Sequence, residues 1–356
     1  MSRPWRVAVA GLGHWYSAFG LARALREYPR AVLVAAAWDH RAQLDEFTSA
    51  FGVDGHDSYD ALVSRDDVDI IHIAAPVAAI ADIAIAAARA GKHLIVGKPM
   101  AMTVEQADRI VAAVHASGIT CVAFQGLMRL QAGALKARLD AGEFGQLALL
   151  HQTSRWSIAE DWLGSGTPGW FADPAQVPGG AFIDEGIYWI DLFGWLAGSD
   201  IVTVDATTAN LVHTDIDVED WGMASFTFAN GVRATLEASW TINAPRRSGP
   251  SPKQNSVVRL EVIGTRGEYC DQWFRDPGRA VLSAGADNWV FERRADPPFA
   301  RTTPFPLDHL IDCLESGRPT PASIDEARRS FGVAMAAYQS AREGRPVRVP
   351  GTVKNG

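Results

Sequence analysis

Short apolar runs alternate with amphipathic stretches along the first 125 residues. Val7–Ala10 is apolar, and the residues that follow Gly13 carry apolar positions at helical spacing. Thr103 followed by Gln106 is typical of a helix-starting capping box. Continuous apolar strands between helices indicate a doubly wound parallel sheet covered on both faces. The predicted strands are 7–10, 31–38, 68–74, 93–96 and 119–124, and the predicted helices are 14–27, 41–51, 58–65, 78–90 and 103–117.

Beyond residue 145 the pattern changes to strands that alternate apolar and polar positions, with turn signals such as Ala229-Asn230-Gly231 between them. This pattern predicts an α+β domain with a large, mostly antiparallel open sheet. We place the boundary near Phe124–Arg129, which divides the chain into a Rossmann domain at 1–125 and a substrate-binding and oligomerisation domain at 126–356. The predicted strands are 147–157, 201–213, 223–228, 232–241 and 257–263, and the predicted helices are 179–196, 307–315 and 324–343.

The amino-acid composition limits the classes of binding partner that we expect. The net charge is −8, so there is no basic footprint for nucleic acid or an anionic membrane. No long uninterrupted apolar run and no signal-peptide pattern occurs, so we expect a cytoplasmic protein without a membrane span. The three cysteines form no CxxC motif and the histidines show no ligand spacing, so we expect no metal site.

The first strand ends in Gly11-Leu12-Gly13, directly before a predicted helix. Glycines at such a turn let backbone amides approach a pyrophosphate, and the helix N-terminus favours the anion. Asp39 follows the second strand, where a carboxylate hydrogen-bonds the ribose 2′-hydroxyl of NAD. Arg41 could instead hold a 2′-phosphate, so NADP stays an alternative to NAD. His14 is either a phosphate contact or a solvated loop histidine.

Further motifs carry a family resemblance. They are Ala75-Pro76, the segment Ala-Gly-Lys-His-Leu-Ile-Val-Gly-Lys-Pro at 90–99, Gly-Gly-Ala-Phe-Ile-Asp-Glu-Gly-Ile-Tyr-Trp-Ile-Asp at 179–191, Gly-Thr-Arg-Gly at 264–267 and the segment 336–349. In this order and spacing they resemble the glucose–fructose oxidoreductase/inositol dehydrogenase/MocA-like family of sugar dehydrogenases. The resemblance covers nearly the whole chain. It implies a nicotinamide cofactor, a sugar or polyol substrate, and a homodimer or homotetramer built through the C-terminal sheet.

Four positions depart from the family pattern. Tyr16 replaces the small third residue of the glycine loop, and Ile80 stands where many members have His. Gly97 replaces the Glu of Glu-Lys-Pro, which puts the positioning of the following lysine in question. Tyr188 replaces a His, as in the branch of the family in which a tyrosine is the acid/base.

Alcohol oxidation needs a proton acceptor for the hydroxyl as well as a hydride acceptor. The resemblance assigns catalysis to Lys98, Asp184 and Tyr188. Tyr188 would take the proton and Lys98 would lower its pKa or polarise the substrate oxygen. Asp184 would hold a substrate hydroxyl or orient Lys98. The cofactor would contact Gly11, Gly13, His14, Trp15, Asp39, His40, Arg41, Ala75, Pro76 and Lys98.

Twelve tryptophans are unevenly placed, and five fall between Trp156 and Trp195. Aromatic faces suit the C–H surfaces of sugars, so the predicted substrate contacts are Lys98, Arg155, Trp156, Trp162, Trp170, Asp184 and Tyr188. An aromatic core or an oligomer interface is the alternative for each tryptophan. Asp191 and the buried-strand residue His72 are expected to be structural.

These features predict an NAD(P)-dependent dehydrogenase or reductase for a sugar, cyclitol or related polyol. One alternative retains the cofactor and performs net non-redox chemistry on a sugar or glycoside. The other is a dinucleotide-binding regulatory protein without turnover, because Ile80 and Gly97 replace two usual site residues.

Overall fold

The structure is a computed structural model that describes residues 3–158, 168–242, 256–274, 277–293 and 306–351. The described chain forms two compact units. The first contains residues 3–127, 175–178 and 306–328, and the second contains most of the remainder. The chain therefore passes from one unit to the other more than once, whereas the sequence pattern places everything after residue 125 in one domain. Trp162 lies outside the described residues.

The first unit contains a six-stranded parallel sheet of order β3-β2-β1-β4-β5-β6, which confirms the predicted doubly wound fold. In the two central strands residues 7–10 and 70–73 are fully buried, as the mainly apolar sequence predicts, while Trp5 and Arg6 are partly exposed. The elements are β1 Trp5–Ala10, α1 Trp15–Leu25, β2 Ala31–Ala37, α2 Arg41–Phe51, β3 Asp54–His56, α3 Tyr59–Val63, β4 Ile70–Ile73, α4 Val77–Arg89, β5 His93–Val96, α5 Val104–Ser117 and β6 Cys121–Ala123.

Capping fixes the start of α5 as predicted. The Thr103 hydroxyl accepts a hydrogen bond from the Gln106 N–H at 3.2 Å, and the Gln106 side chain accepts one from the Met102 N–H at 2.9 Å. The helix ends at Gly118 in the left-handed conformation. Helix α5 therefore begins and ends where its local sequence dictates.

The second unit begins with the short helices α6 Leu127–Gln131 and α7 Gly133–Asp140. Its nine-stranded sheet has the order β14-β13-β12-β11-β7-β10-β9-β8-β15, and only the β7–β10 pair is parallel among its neighbours. The predicted, mostly antiparallel sheet is confirmed. The strands are β7 Leu147–Arg155, β8 Ile201–Ala209, β9 Trp221–Phe228, β10 Arg233–Ser239, β11 Val257–Gly264, β12 Glu268–Phe274, β13 Gly278–Leu282, β14 Val290–Arg293 and β15 Val347–Arg348.

Helix α8, Ala181–Ala197, covers one face of this sheet. A Cβ built at Gly186 would lie 3.1 Å from Leu236 Cδ2 of β10, so the helix packs closely on the strand. Alternate residues of β7 on this face, such as Leu150 and Ser154, are buried, while the residues between them are partly exposed. One face of the sheet is therefore core and the other is open.

Two helices follow late in the chain. Helix α9, Leu307–Ser316, belongs to the first unit, and α10, Ile324–Glu343, follows it. Arg30 holds α9 through ion pairs with Asp308 at 3.0 Å, Asp312 at 2.8 Å and Glu315 at 3.0 Å. Such a long-range anchor carries no local sequence signal. No helix in the described ranges is long and apolar enough to cross a membrane.

His72 is buried at the centre of the parallel sheet, as expected for a core histidine. Its Nε2 lies 3.2 Å from the Ser17 hydroxyl of α1. Burial lowers its pKa from 6.5 to about 4 because the charged imidazolium loses its hydration. The unfolded chain therefore binds a proton at His72 before the folded chain does as the pH falls.

We expect His72 to make folding sensitive to mild acid. Between pH 6.5 and about 4 the free energy of unfolding should fall by about 3 kcal/mol from this group alone. In His72→Asn that part of the fall should disappear. Ser17→Ala keeps the buried imidazole and should keep the fall, although its stability at neutral pH is lower. Urea unfolding at several pH values measures both, and equal pH dependence in wild type and His72→Asn would contradict the prediction.

Candidate active site

The glycine loop lies against the end of β4. Gly11 has φ +89°, and a Cβ there would lie 2.4 Å from Ala75 Cα, closer than any side chain allows. A Cβ at Gly13 would lie 2.9 Å from Pro76 Cδ. The structure thus brings together Gly11, Gly13, Ala75 and Pro76, four of the predicted cofactor contacts, at the carboxyl edge of the sheet. This edge is where open parallel sheets bind ligands.

The residues at this edge fit a dinucleotide. Helix α1 starts at Trp15, directly after the loop, so its N-terminus faces the position of a pyrophosphate. The Trp15 indole Nε1 is buried and has no hydrogen-bond partner among the described residues. An anionic ligand held by the loop would offer this buried N–H an acceptor.

The end of β2 presents a carboxylate rather than a cation. The Asp39 side chain is 71% exposed, and its neighbour His40 is similarly exposed. The Arg41 guanidinium instead pairs with Asp45 at 2.9 Å along α2. A carboxylate here accepts hydrogen bonds from ribose hydroxyls and repels a 2′-phosphate. The arrangement therefore favours NAD over NADP.

His14 is buried, so its interpretation as a solvated loop histidine is wrong. It is 3% exposed, and its Nδ1 lies 3.1 Å from the Tyr16 hydroxyl. Burial lowers the pKa of His14 well below its usual value, and the charges of Lys98 and His72 act in the same direction.

Lys98 follows β5 at the same edge and is itself 4% exposed. The residue before it has no room for a side chain. A Cβ at Gly97 would lie 2.9 Å from the Ile73 carbonyl oxygen and 3.2 Å from Ile80 Cδ1. Two of the departures from the family pattern, Ile80 and Gly97, are therefore neighbours, since the Ile80 side chain lies beside the place where a side chain at position 97 would begin.

In the second unit, Glu219 caps helix α8. Its carboxylate accepts hydrogen bonds from the N–H groups of Gly180 at 2.9 Å and Phe182 at 3.0 Å, and from the Tyr338 hydroxyl at 2.6 Å. A Cβ at Gly179 would lie 2.1 Å from Tyr338 Oη, and one at Gly180 would lie 2.1 Å from the Glu219 carbonyl oxygen. The two glycines are needed because the capping groups approach so closely. Burial raises the pKa of Glu219, while these hydrogen bonds oppose the shift.

Helix α8 carries the predicted Asp184 and Tyr188. Asp184 is 6% exposed, and its Oδ2 accepts a hydrogen bond from the Trp240 indole at 3.3 Å. Tyr188, one turn further on, is partly exposed. Asp191 pairs with buried Arg129 at 2.5 Å and accepts from the Ser330 hydroxyl at 3.1 Å, which agrees with the structural role expected for it.

Arg155 lies on the other face of the sheet from α8. Its guanidinium donates two hydrogen bonds to the Glu237 carboxylate of β10, at 2.8 and 2.7 Å. Both side chains lie on the sheet face opposite to the buried positions of these strands. The structure therefore does not bring Arg155 together with Asp184 and Tyr188, because the alternation of strand side chains directs it away.

The predicted tryptophans differ in surroundings. The Trp156 indole donates to Ser154 Oγ at 2.9 Å, and its ring meets Phe274 edge-on. Trp170 stacks on Phe171 at 3.9 Å between ring centroids. Each of these two tryptophans belongs to a buried or partly buried aromatic pair, and neither lies alone on the surface. Within the described ranges no group of three His, Cys, Asp or Glu side chains is arranged to hold a metal ion.

Sequence patterns did not single out Glu219, Tyr338 or Trp240. Each lies far along the chain from the helix it supports, and an acid before a strand or a tyrosine in a late helix has no distinctive local signature. The repeated glycines at 179 and 180 are the one signal of close approach there.

Known proteins resemble this chain along most of its length. Residues 5–124 match a family model described as an oxidoreductase family with an NAD-binding Rossmann fold, and residues 133–270 match the GFO/IDH/MocA C-terminal domain. The chain belongs to the GFO/IDH/MocA oxidoreductase family. Its first unit is accordingly an NAD-binding Rossmann domain, and the protein is an oxidoreductase of this family.

Two individual proteins that are similar in sequence support this family assignment. The scyllo-inositol 2-dehydrogenase (NAD(+)) of Bacillus subtilis (strain 168) is 27% identical over 97% of this chain and 96% of its own length. The dTDP-3,4-didehydro-2,6-dideoxy-alpha-D-glucose 3-reductase of Actinomadura kijaniata is 31% identical over 66% of this chain and 68% of its own.

A solved structure shows the same fold. Levoglucosan dehydrogenase in complex with NADH and levoglucosan superposes with a TM-score of 0.83 at 23% identity, covering 98% of this chain and 99% of that one. At this identity the likeness is evidence for the fold alone.

Asp39 should decide the cofactor preference. In Asp39→Ala the hydrogen bonds of a charged acceptor to the ribose are lost, so the Kd for NADH should rise by about tenfold or more. The Kd for NADPH should stay level or fall because the repulsion of its phosphate is removed. Isothermal titration calorimetry measures both. Glu46→Ala, on the exposed face of α2, is the matched control, and an unchanged ratio of the two Kd values in Asp39→Ala would contradict the assignment.

Glu219 should stabilise the start of α8. In Glu219→Ala the N–H groups and the Tyr338 hydroxyl lose their buried acceptor, so the free energy of unfolding should fall by at least about 2 kcal/mol. Glu219→Gln keeps one carbonyl oxygen and should lose less. Glu261→Ala removes a partly exposed carboxylate paired with Arg259 and should cost at most about 1 kcal/mol. Denaturant unfolding measures these losses. If Glu219→Ala and Glu261→Ala lose equal free energy of unfolding, the cap stabilises the protein no more than a partly exposed ion pair does.

Proposed function

We propose that the protein is an NAD-dependent dehydrogenase or reductase that acts on a hydroxyl or keto carbon of a sugar, cyclitol or related polyol. The observation that carries the proposal is the glycine loop packed against Ala75 and Pro76, with Asp39 at the end of the next strand. The relatives named for inositol and for a deoxysugar support the class of substrate.

The residues of the first unit would bind and orient the cofactor. Gly11, Gly13 and the start of α1 would hold the pyrophosphate, with Trp15 Nε1 as a further donor. Asp39 would hold the adenosine ribose. The nicotinamide supplies the acceptor or donor of hydride when it is bound.

We assign the proton transfer to Tyr188 and the electrostatic assistance to Lys98. An ordinary phenol has a pKa near 10, so a tyrosine base works at neutral pH only where a positive charge favours its phenolate. A buried ammonium such as that of Lys98 supplies this charge more strongly than an exposed one, because little water screens it. Lys98 would also polarise the substrate oxygen.

Asp184 would accept a hydrogen bond from a substrate hydroxyl. The Trp240 indole holds its carboxylate, so the acceptor is already oriented before substrate arrives. Trp156 and Trp170 are the candidates for stacking on the sugar ring, while the pairing of Arg155 with Glu237 favours a role on the other face of the sheet.

That other face is our proposed homo-oligomer surface. It carries the partly exposed positions of the central strands, including Met223 of β9, which is 48% exposed. An apolar side chain on an open sheet face is typical of a surface that a second copy covers.

We further propose a cytoplasmic location, since Cys121, Cys270 and Cys313 are all free thiols.

The first test is a screen for turnover. Purified protein is incubated with NAD and then NADP against monosaccharides, inositols and glycosides, and reduced nicotinamide is followed by its absorbance. Substrate-dependent reduction is the expected result. Consumption of a sugar without net reduction would favour chemistry with a retained cofactor, and tight NAD binding without any turnover would favour a regulatory protein.

Lys98→Ala tests the site itself. Turnover should fall by at least about a hundredfold because the charge near the reacting oxygen is lost, while NADH should still bind. Lys136→Ala, which removes a lysine paired with Asp140 on α7, should retain turnover. Full activity in Lys98→Ala would refute the assignment of this residue.

A further inference from the structure

Phe274, the last residue of strand β12, has an unusual backbone conformation. Its φ angle is +67°, and among the residues that the structure describes no other residue except glycine has a positive φ. A Cβ atom lies too close to a carbonyl oxygen in this left-handed region, so the conformation is strained for a bulky residue. Such strain persists only where the surrounding structure imposes it, and it clusters at functional sites.

The alternation of side chains along β12 directs Phe274 away from helix α8. The buried positions of this strand include Trp273, whose ring lies 5.5 Å from that of Trp189 of α8 between centroids. The positions between them are partly exposed, and Phe274 continues that outer series. A regular strand would therefore place the Phe274 ring on the open face of the sheet, the face of Arg155.

The Phe274 ring lies instead beside Trp156, on the side of the sheet that α8 covers. The two rings meet edge-on, with 5.2 Å between centroids and 74° between planes. The Trp156 indole donates to Ser154 Oγ at 2.9 Å, and Ser154 belongs to the buried face of β7. The left-handed backbone thus turns the Phe274 ring from the open face to the covered face.

The aromatic pair lies near the support of Asp184. Trp156 and Trp240 are neighbours on the covered face, because β7 and β10 pair in parallel and the Trp156 N–H donates to the Ser239 carbonyl at 2.9 Å. Trp240 is fully buried and donates its indole N–H to Asp184 at 3.3 Å. Trp156 and Phe274, in contrast, are partly exposed. Two partly exposed aromatic rings therefore lie on the side of the sheet that carries Asp184.

We propose that Phe274 is a specificity-determining residue, which forms with Trp156 an aromatic wall against which the ring of a sugar or cyclitol packs. The faces of aromatic rings are electron-rich and attract the slightly positive hydrogens of C–H groups. The wall would hold the carbon face of the substrate ring, while Asp184 accepts a hydrogen bond from one of its hydroxyls. This inference rests on the proposed function and names the class of substrate more narrowly.

The aromatic wall favours closed rings over open chains. In a pyranose or a cyclitol, several C–H groups point to one side of a rigid ring, so they meet an aromatic face together. An open-chain polyol must first lose its conformational freedom to present the same surface, and this loss reduces its affinity. The strain at Phe274 is then the cost of a ring placed where the regular strand would not put it.

The first experiment tests the backbone of Phe274 without any substrate. Glycine adopts the left-handed conformation without strain, so Phe274→Gly should unfold at a higher urea concentration than Phe274→Ala. Gln272 lies on the same strand and on its outer series, and it is the matched control. Gln272→Gly should unfold at a lower urea concentration than Gln272→Ala, because glycine weakens a regular strand. If the order at position 274 is the same as at position 272, the ring is not redirected by its backbone and the proposal is wrong.

The second experiment tests the aromatic wall with a cyclic substrate found in the screen. Phe274→Leu keeps an apolar side chain but lacks the ring, so KM for this substrate should rise by about threefold to tenfold. Its kcat and its Kd for NADH should stay within about twofold of the wild-type values, since the wall touches neither the reacting carbon nor the cofactor. Phe274→Tyr keeps the ring and should keep KM. Phe291→Leu removes a phenylalanine ring that is 77% exposed on β14 of the same sheet, and it should leave KM unchanged.

An open-chain polyol, measured as a substrate or as a competitive inhibitor, shows whether the wall selects rings. Phe274→Leu should weaken its binding less than that of the cyclic substrate. If the wild type turns over a cyclic sugar and KM is unchanged in Phe274→Leu, the aromatic wall is refuted and the proposed function stands. Absence of turnover with every sugar and cyclitol would instead refute the proposed function, and this role of Phe274 with it.

Discussion

The burial of a lysine at the carboxyl edge of a parallel sheet is the constraint around which the first unit is arranged. A charge removed from water needs polar groups at fixed positions, and these must come from loops that the sheet brings together. Gly11 and Gly13 allow one loop to lie against Ala75 and Pro76, and His14 of that loop donates its backbone N–H to the Ala74 carbonyl at 2.8 Å. The cofactor-binding edge of the sheet thus depends on this close packing.

In the second unit, buried polar groups at the start of helix α8 also need partners. Helix α8 must present Asp184 and Tyr188 from a buried N-terminus, where unsatisfied N–H groups are costly. Glu219 and Tyr338 satisfy that end, and Trp240 holds Asp184. Gly179 and Gly180 are the residues that permit this approach, so the glycines of the motif serve the helix cap as well as the chain turn.

Much of the site was predictable from local patterns because dinucleotide binding is carried by residues close in sequence. The glycine loop follows β1 and precedes α1, and Asp39 ends β2, so strand and helix order alone bring them to one edge. The surroundings of His14 were not predictable in this way. A histidine beside a glycine loop is compatible with solvent, and only the packing of the folded first unit buries it.

The sequence by itself determined the order and type of the main elements, the parallel and antiparallel halves, the capping of α5 and the cofactor-binding edge, because each rests on periodicity or on residues within one turn. Tertiary structure alone decided that α9 joins the first unit through Arg30, that Arg155 faces away from α8, and that Glu219 and Trp240 support the helix. The strands β12 to β14 at one end of the nine-stranded sheet and β15 at the other also needed it, since each is defined by the strand with which it pairs. The physical reason is the same in each case: pairing between distant residues is a property of the packed chain and leaves no trace in local spacing.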